Sequence, residues 1–172
     1  MTILLLVRHG ETYWNAEGRL QGHSDRPLNA HGRRQARALA ERLAGDAIDA
    51  LYASDLSRAR ETAEIVGAHL GLSVAVDPDL REKDWGSWEG LTPSERERVA
   101  FAGETTEAHR ERTLRAVRTI AERHPDARVV VVTHGGSLRR VQAAVTGVAL
   151  PVLDNCAVWA VACEGGLFRP LD

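Results

Sequence analysis

Two histidines stand at the ends of the two most apolar stretches of this 172-residue chain. His9 follows the run Ile3–Val7 after one arginine, and His134 follows the run Val129–Val132 after one threonine. Short continuous apolar runs are typical of strands that are buried on both faces of a parallel sheet. Ligands of such sheets bind at the carboxyl ends of the strands. The pattern therefore predicts that both imidazoles lie at one ligand-binding edge.

Arginines and glycines beside these histidines favour an anionic ligand. Arg8 precedes His9, and Arg58 falls in the first turn of a predicted helix, where the helix dipole and the guanidinium both attract phosphate. Gly10 and Gly135 follow the two histidines, and glycine lets backbone N–H groups approach an anion closely. These residue types together indicate a phosphate site.

A histidine among cations is suited to phosphoryl transfer. Its neutral ring nitrogen is a nucleophile near physiological pH, because its unperturbed pKa is about 6.5. Attack on phosphorus would give a covalent phospho-enzyme, and arginines with a second imidazolium would offset the charge on the equatorial oxygens. A metal ion then becomes unnecessary. The leaving oxygen needs a proton, which a carboxylic acid can supply.

Strands alternate with helices along the rest of the chain. Weaker strand patterns cover residues 49–53 and 72–76, and Gly165-Gly166 suggests a hairpin between residues 155–164 and 167–169. The alternation predicts an α/β fold with a mostly parallel sheet. Predicted helices cover residues 31–44 (capped by Asn29), 56–70 (ended by Gly71), 104–124 (capped by Thr105) and 137–145.

Composition and motifs exclude several classes of protein. The length suits a single domain over residues 1–172, and the formal charge of −2 lacks the basic excess of nucleic-acid or membrane-surface binders. The N-terminal apolar run is shorter than a signal-peptide core of roughly 7–15 residues or a membrane span of roughly 20, so we expect a cytoplasmic location. Walker, dinucleotide-binding, zinc-knuckle and serine-hydrolase motifs are absent from the sequence.

Four segments together resemble the histidine phosphatase superfamily, also called phosphoglycerate mutase-like. They occur in the family's order, span residues 3 to about 140, and form a highly specific combination. The resemblance implies a three-layer α/β/α sandwich with a short cap, which we define as residues 77–103. It is strongest to the small phosphatase branch, which includes α-ribazole phosphatase and broad-specificity phosphatases. The segments are Arg8–Thr12 with Asn15, Ser54–Ala63, Arg81-Glu82 before Gly86–Gly90, and Thr133–Arg139.

The resemblance also implies a role for each matching residue. His9 would be the phosphorylated nucleophile, and Glu82 the general acid that later activates water. Asn15 would also touch the phosphate, and Arg81 would contact an acidic end of the substrate. The rest of the phosphate pocket would be Arg8, Arg58 and His134, with Gln21 and Gly22 at the entrance.

The short cap favours hydrolysis over isomerisation. Only twelve residues separate Gly90 from Gly103, whereas dimeric phosphoglycerate mutases carry a longer insertion there. A mutase must exclude water from its phospho-enzyme, and a short cap leaves the site more open. The expected function is hydrolysis of small phosphorylated metabolites through phosphorylated His9, without a metal or other cofactor.

Alternative functions stay open on the sequence. One is a phosphoglycerate mutase that uses 2,3-bisphosphoglycerate, and another is a phosphohistidine protein phosphatase or an inactive phosphate-binding module. A metallohydrolase is the weakest alternative, because arginines beside the ligands would repel a divalent ion. The strand edge after Asn155 could also pair with a second copy of the chain in a homodimer.

Overall fold

A six-stranded sheet runs through the centre of the computed structural model, which describes residues 1–171. The strand order is β3-β2-β4-β1-β5-β6. The first four of these strands are parallel, and the last two form an antiparallel hairpin at one edge, as the sequence predicts. The strands are β1 (Thr2–Arg8), β2 (Ala50–Ala53), β3 (Val74–Val76), β4 (Arg128–Thr133), β5 (Val158–Glu164) and β6 (Leu167–Pro170).

Helices cover both faces of this sheet. Two of them pack with one hydrophobic cluster on one face, and two others pack with a second cluster on the opposite face. The three-layer α/β/α sandwich is therefore confirmed. The helices are α1 (Tyr13–Ala16), α2 (Ala30–Leu43), α3 (Ser57–Leu70), α4 (Pro93–Arg96), α5 (Thr106–Arg123) and α6 (Gly135–Thr146), of which α2 and α3 share one face and α5 and α6 the other.

The two clusters follow from the alternation of side chains along the central strands. Leu5 and Val7 of β1 point toward α2 and α3, whereas Leu4 and Leu6 point toward α5 and α6. Because successive side chains of a strand face opposite sides, a strand between two helical layers must be apolar throughout. This explains the continuous apolar runs that precede the two histidines.

Capping residues set the helix ends as predicted. The side chains of Asn29 and Thr105 accept hydrogen bonds from the first turns of α2 and α5, and Gly71 ends α3 with a φ of 71°. The start of α6 differs, because the helix begins at Gly135 rather than at residue 137. Glycine is a poor helix former in helix interiors, but the first turn has no intrahelical N–H bonds to lose.

The cap is mostly irregular, as expected. Two short 3-10 turns and the four-residue α4 are its regular elements, and Leu80 anchors its start in the core. From residue 84 to residue 103 each side chain is at least partly exposed. Over residues 1–171, no helix combines the length and the apolar character that crossing a bilayer requires.

Candidate active site

Parallel strands bring the two predicted histidines together. His9 directly follows β1, and His134 lies between β4 and α6, where Arg8 and Thr133 are register partners. The centroids of the two imidazole rings lie 5.1 Å apart, and both side chains are buried. The sheet edge therefore holds both histidines in one small space, as the positions of the apolar runs predict.

Hydrogen bonding fixes the tautomer of His9. Its Nδ1 lies 2.6 Å from the carbonyl oxygen of Gly10, which can only accept, so Nδ1 carries the ring proton. Burial lowers the pKa of His9 well below its ordinary value, and the charges of Arg58 and Arg8 lower it further. His9 is therefore a neutral imidazole at neutral pH, with its lone pair on Nε2.

Two buried arginines flank this imidazole. Arg58, which is fully buried, donates to the carbonyl oxygens of Gly22 (2.7 Å) and Ser24 (3.0 Å), and burial lowers its pKa to about 10. Arg8 donates to the carbonyl oxygen of Leu153 at 2.6 Å. In both guanidinium groups the Nε is buried and has no hydrogen-bond partner within residues 1–171. Buried cationic donors of this kind are suited to binding an anion.

His134 provides a third buried nitrogen. Its Nε2 lies 2.9 Å from Ser54 Oγ, and no described residue partners its Nδ1. Burial lowers its pKa well below the ordinary value, and the charge of Arg58 lowers it further. His134 is thus a neutral polar group in the same buried cluster.

Glu82 approaches this cluster from the cap. One carboxylate oxygen accepts from the backbone N–H of Lys83 and the other from that of Gly136, each at 2.8 Å. Arg112 of α5 donates to the carbonyl oxygens of Asp79, Arg81 and Glu82, which ties the start of the cap to the helix. A carboxyl group on an irregular segment is thereby held in one place.

These groups line a cavity of about 430 Å³. Its deep end holds the predicted nucleophile, the two arginines and Glu82, and its wall includes every predicted entrance residue. Gln21 Oε1 accepts a hydrogen bond from Thr12, which fixes that side chain. The predicted site residues in the lining are Arg8, His9, Asn15, Gln21, Gly22, Arg58, Glu82 and Gly135.

His134 is buried beside His9 but does not line the cavity, and Arg81 also lies outside the lining. Its guanidinium group binds Asp55, with Nε 2.7 Å from Oδ1, and that contact raises the pKa of Arg81 and lowers that of Asp55. The side chain thus points to the loop after β2 and not into the cavity lining. An acidic partner on the neighbouring loop thus holds Arg81 away from the cavity, and contact between Arg81 and an acidic end of the substrate stays a prediction.

Several residues that line the cavity were not predicted from the sequence. Arg19, Arg96 and Arg139 line its outer part together with Trp85. Its position at the cavity could have been predicted for Arg139, because this residue lies four residues after Gly135 and therefore on the same face of α6. Arg19 lies in the loop between α1 and α2, and Arg96 ends the four-residue α4, so neither has a comparable periodic signal.

His109 is a further residue that the sequence analysis missed. It lies on the buried face of α5, with its Nε2 2.9 Å from Ser137 Oγ and 3.6 Å from Glu82 Oε1. Since Ser137 donates its hydroxyl proton to the carbonyl oxygen of Arg81, Nε2 of His109 carries the proton. Burial lowers its pKa to about 4. In the sequence, a histidine among the apolar positions of a predicted helix was the pattern that could have identified His109.

Comparison with known proteins assigns the chain to a family. A sequence model described as histidine phosphatase superfamily (branch 1) matches residues 4–170. Phosphoglycerate mutase-like protein 4 of Arabidopsis thaliana is 42% identical over 155 residues, covering 79% of this chain and 67% of that protein. A metal-independent phosphoserine phosphatase of the same plant is 38% identical over 165 residues, covering 85% and 69%.

A solved structure supports the same assignment. The mycobacterial glucosyl-3-phosphoglycerate phosphatase, in its complex with VO3, superposes with a TM-score of 0.87 at 30% identity, covering 98% of this chain and 96% of that one. The family resemblance seen in the sequence is confirmed by the sequence model, by the relatives and by this structure. The chain belongs to the histidine phosphatase superfamily and is a phosphoric monoester hydrolase.

Proposed function

We propose that this phosphatase hydrolyses small phosphorylated metabolites without a metal ion, through a phosphohistidine on His9. The observation that carries the proposal is the state of His9, a buried neutral imidazole whose Nε2 lone pair lies beside two guanidinium groups. A nucleophile needs that lone pair, and a phosphate dianion needs those cations.

In the first step, His9 Nε2 attacks phosphorus and the bond from phosphorus to the ester oxygen breaks. The N–P bond forms with the electron pair of Nε2, and the leaving oxygen takes a proton from the carboxylic acid form of Glu82. Arg8 and Arg58 stabilise the charge on the equatorial oxygens, with their buried Nε–H groups as donors. The alcohol then leaves the cavity.

In the second step, water attacks the phosphorus of the phosphohistidine. Its proton passes to the Glu82 carboxylate, the N–P bond breaks, and Nε2 regains its electron pair as inorganic phosphate forms. The Nδ1–H···O bond of His9 to Gly10 holds the ring in one orientation through both steps. Asn155 donates to the backbone carbonyl oxygen of His9 at 2.9 Å and fixes the main chain there.

One observation supports reaction without a metal ion, and another supports hydrolysis. The charges that would offset the phosphate are guanidinium groups, and these would repel a divalent cation placed beside His9. The outer part of the cap carries no buried side chain between residues 84 and 103, which favours access of water. The second feature fits a phosphatase better than a mutase, which must exclude water from its phospho-enzyme.

One incubation tests the proposal. The protein is given 3-phosphoglycerate with catalytic 2,3-bisphosphoglycerate, and free phosphate and 2-phosphoglycerate are followed together, with and without a chelator. We expect phosphate release, no isomer and no effect of the chelator, and p-nitrophenyl phosphate serves as a general reporter. Isomer without phosphate would establish a mutase, and loss of turnover with the chelator would rule out metal independence.

Replacing Gly136 with alanine is expected to lower kcat/KM by about 100-fold while leaving the fold intact. An added Cβ would lie 2.3 Å from Glu82 Oε1, so the carboxyl group must move, and misplacing a reacting group by about 1 Å can cost this much. Stability should not fall, because alanine favours the helix and the displaced carboxylate is the end of a flexible side chain.

The matched control for this substitution is Gly45→Ala. A Cβ at position 45 meets no atom within 4 Å, so both activity and the thermal midpoint should stay at their wild-type values. Kinetics with p-nitrophenyl phosphate and a thermal unfolding scan measure the two effects. Wild-type kinetics in the Gly136→Ala protein would show that the position of Glu82 does not matter for turnover.

A further inference from the structure

One buried polar group near the cavity has no part in the two steps proposed above. His109 lies on the inner face of α5 and is only 1% exposed. Its Nδ1 has no hydrogen-bond partner within residues 1–171. Burying an imidazole with one nitrogen unpaired costs free energy, and a leucine of similar size would avoid that cost. Packing alone therefore does not account for a histidine at this position.

The other ring nitrogen of His109 connects α5 to the segment that carries Glu82. Nε2 lies 2.9 Å from Ser137 Oγ, and the Ser137 hydroxyl group donates to the carbonyl oxygen of Arg81 at 3.0 Å. We call these two hydrogen bonds in series the His109 relay. Since burial lowers the pKa of His109 to about 4, the imidazole donates to the relay as a neutral group at neutral pH. The relay ends at the residue directly before Glu82.

The same imidazole also packs against the carboxyl group of Glu82. Its Nε2 lies 3.6 Å from Glu82 Oε1, which is too long for a hydrogen bond but is close contact. The carboxyl group also accepts from the backbone N–H groups of Lys83 and Gly136. Protonation weakens such hydrogen bonds, because a neutral oxygen is a poorer acceptor than a carboxylate oxygen. The ring therefore supports the carboxyl group in the state where the backbone holds it least firmly.

Resting on the function proposed above, we propose that His109 is a positioning residue for the proton transfers of Glu82. Glu82 lines the cavity, and His109 lies behind it, out of reach of the substrate. Through the relay and through its contact with Oε1, His109 holds the carboxyl group in place for both steps. There the group can give its proton to the leaving ester oxygen and later take one from water.

The fold should survive the loss of this imidazole. Arg112 holds the start of the cap independently, because it donates to the carbonyl oxygens of Asp79, Arg81 and Glu82. His109→Leu also removes the unpaired Nδ1 from the core. We therefore expect the thermal midpoint of this variant at pH 7 to stay within a few degrees of the wild-type value, while activity falls. A purely structural histidine would show the opposite pattern.

Two phosphate esters with different leaving groups test the positioning role. Glycerol 3-phosphate releases an alkoxide, which needs the proton of Glu82, whereas p-nitrophenolate is a much weaker base and needs it less. The ratio kcat/KM reports the steps up to formation of the phosphohistidine. We expect His109→Leu to lower kcat/KM roughly 10-fold for glycerol 3-phosphate and by less than about 3-fold for p-nitrophenyl phosphate, as for the loss of one hydrogen bond.

Further variants separate the relay from packing. His109→Gln keeps an N–H donor near the position of Nε2 and should recover most of the lost activity. Ser137→Ala breaks the relay but keeps the imidazole, and its effect should not add to that of His109→Leu, because the two side chains act in series. The matched control is Thr113→Val, which removes a buried, unpaired hydroxyl group from the same face of α5 and should leave both kcat/KM values unchanged.

The outcomes distinguish this inference from the proposed function. Equal losses for the two esters, or wild-type kinetics in His109→Leu, would overturn the positioning role and leave the phosphatase reaction intact. A wild-type protein that hydrolyses neither ester would overturn both. If His109→Leu does not fold, Ser137→Ala and His109→Gln decide the question, since the first should show the unequal losses and the second should not.

Discussion

His9→Ala is expected to lower kcat by roughly four orders of magnitude or more, as for removal of other catalytic nucleophiles. Over residues 1–171, His9 is the one histidine that lines the cavity, and its free Nε2 lone pair lies in the field of the guanidinium groups of Arg58 and Arg8. The variant should also lose the covalent intermediate. Wild-type protein quenched during turnover of a labelled phosphate ester should carry an acid-labile phosphoryl group, and the variant should carry none.

Controls for this substitution must separate chemistry from folding. His31 is exposed on α2, and His31→Ala should keep wild-type kinetics. Urea unfolding of the His9→Ala protein checks that the fold survives loss of the hydrogen bond between His9 and Gly10. Retention of more than about one hundredth of the wild-type kcat would contradict covalent catalysis by this histidine.

The free energy of unfolding is expected to fall steeply between pH 6.5 and pH 4. His9, His109 and His134 are buried and neutral, and burial lowers the pKa of each in the folded protein. In the unfolded chain each titrates near pH 6.5, so below that pH the unfolded state binds more protons and gains stability. Each histidine contributes about 1.4 kcal/mol per pH unit, and together the three give roughly 4 kcal/mol per unit.

The direction of this effect follows from the lowered pKa values. Stability from these histidines is complete above pH 6.5 and is lost as the pH falls toward the folded-state value, which for His109 is about 4. Urea unfolding at pH 7, 6 and 5 measures the slope. His109→Leu removes one titrating group and should reduce the slope by about a third, whereas His31→Ala should not change it. A stability that is constant from pH 7 to pH 5 would show that these histidines are not held neutral.

The fold and the deep part of the site were predictable because they depend on local patterns. The apolar runs before His9 and His134 indicate buried strands, and the carboxyl ends of parallel strands must meet at one edge. That rule needs no knowledge of loops or of side-chain partners. It places the two histidines and Arg58 correctly, as the structure confirms.

The outer part of the site was not predictable in the same way. The direction of Arg81 depends on Asp55, which lies 26 residues earlier and on another loop, so no local spacing reveals their contact. His109 approaches Glu82 only because α5 packs against the start of the cap. Contacts between elements distant in the chain decide such positions, and they follow from the packed structure rather than from periodicity.

The nucleophile and the wall of its cavity belong to segments of very different local stability. β1, which ends beside His9, is hydrogen-bonded to β4 on one side and β5 on the other, and its side chains from Leu4 to Val7 are buried. Residues 84–103 hold only partly buried side chains, and hydrogen bonds such as that from Gly90 N–H to the carbonyl oxygen of Leu20 tie them to the loop after α1, so separating them from the body should cost less than opening β1. The outer wall can therefore fray and re-form during substrate entry and product exit while the phosphate pocket keeps its geometry from one catalytic cycle to the next.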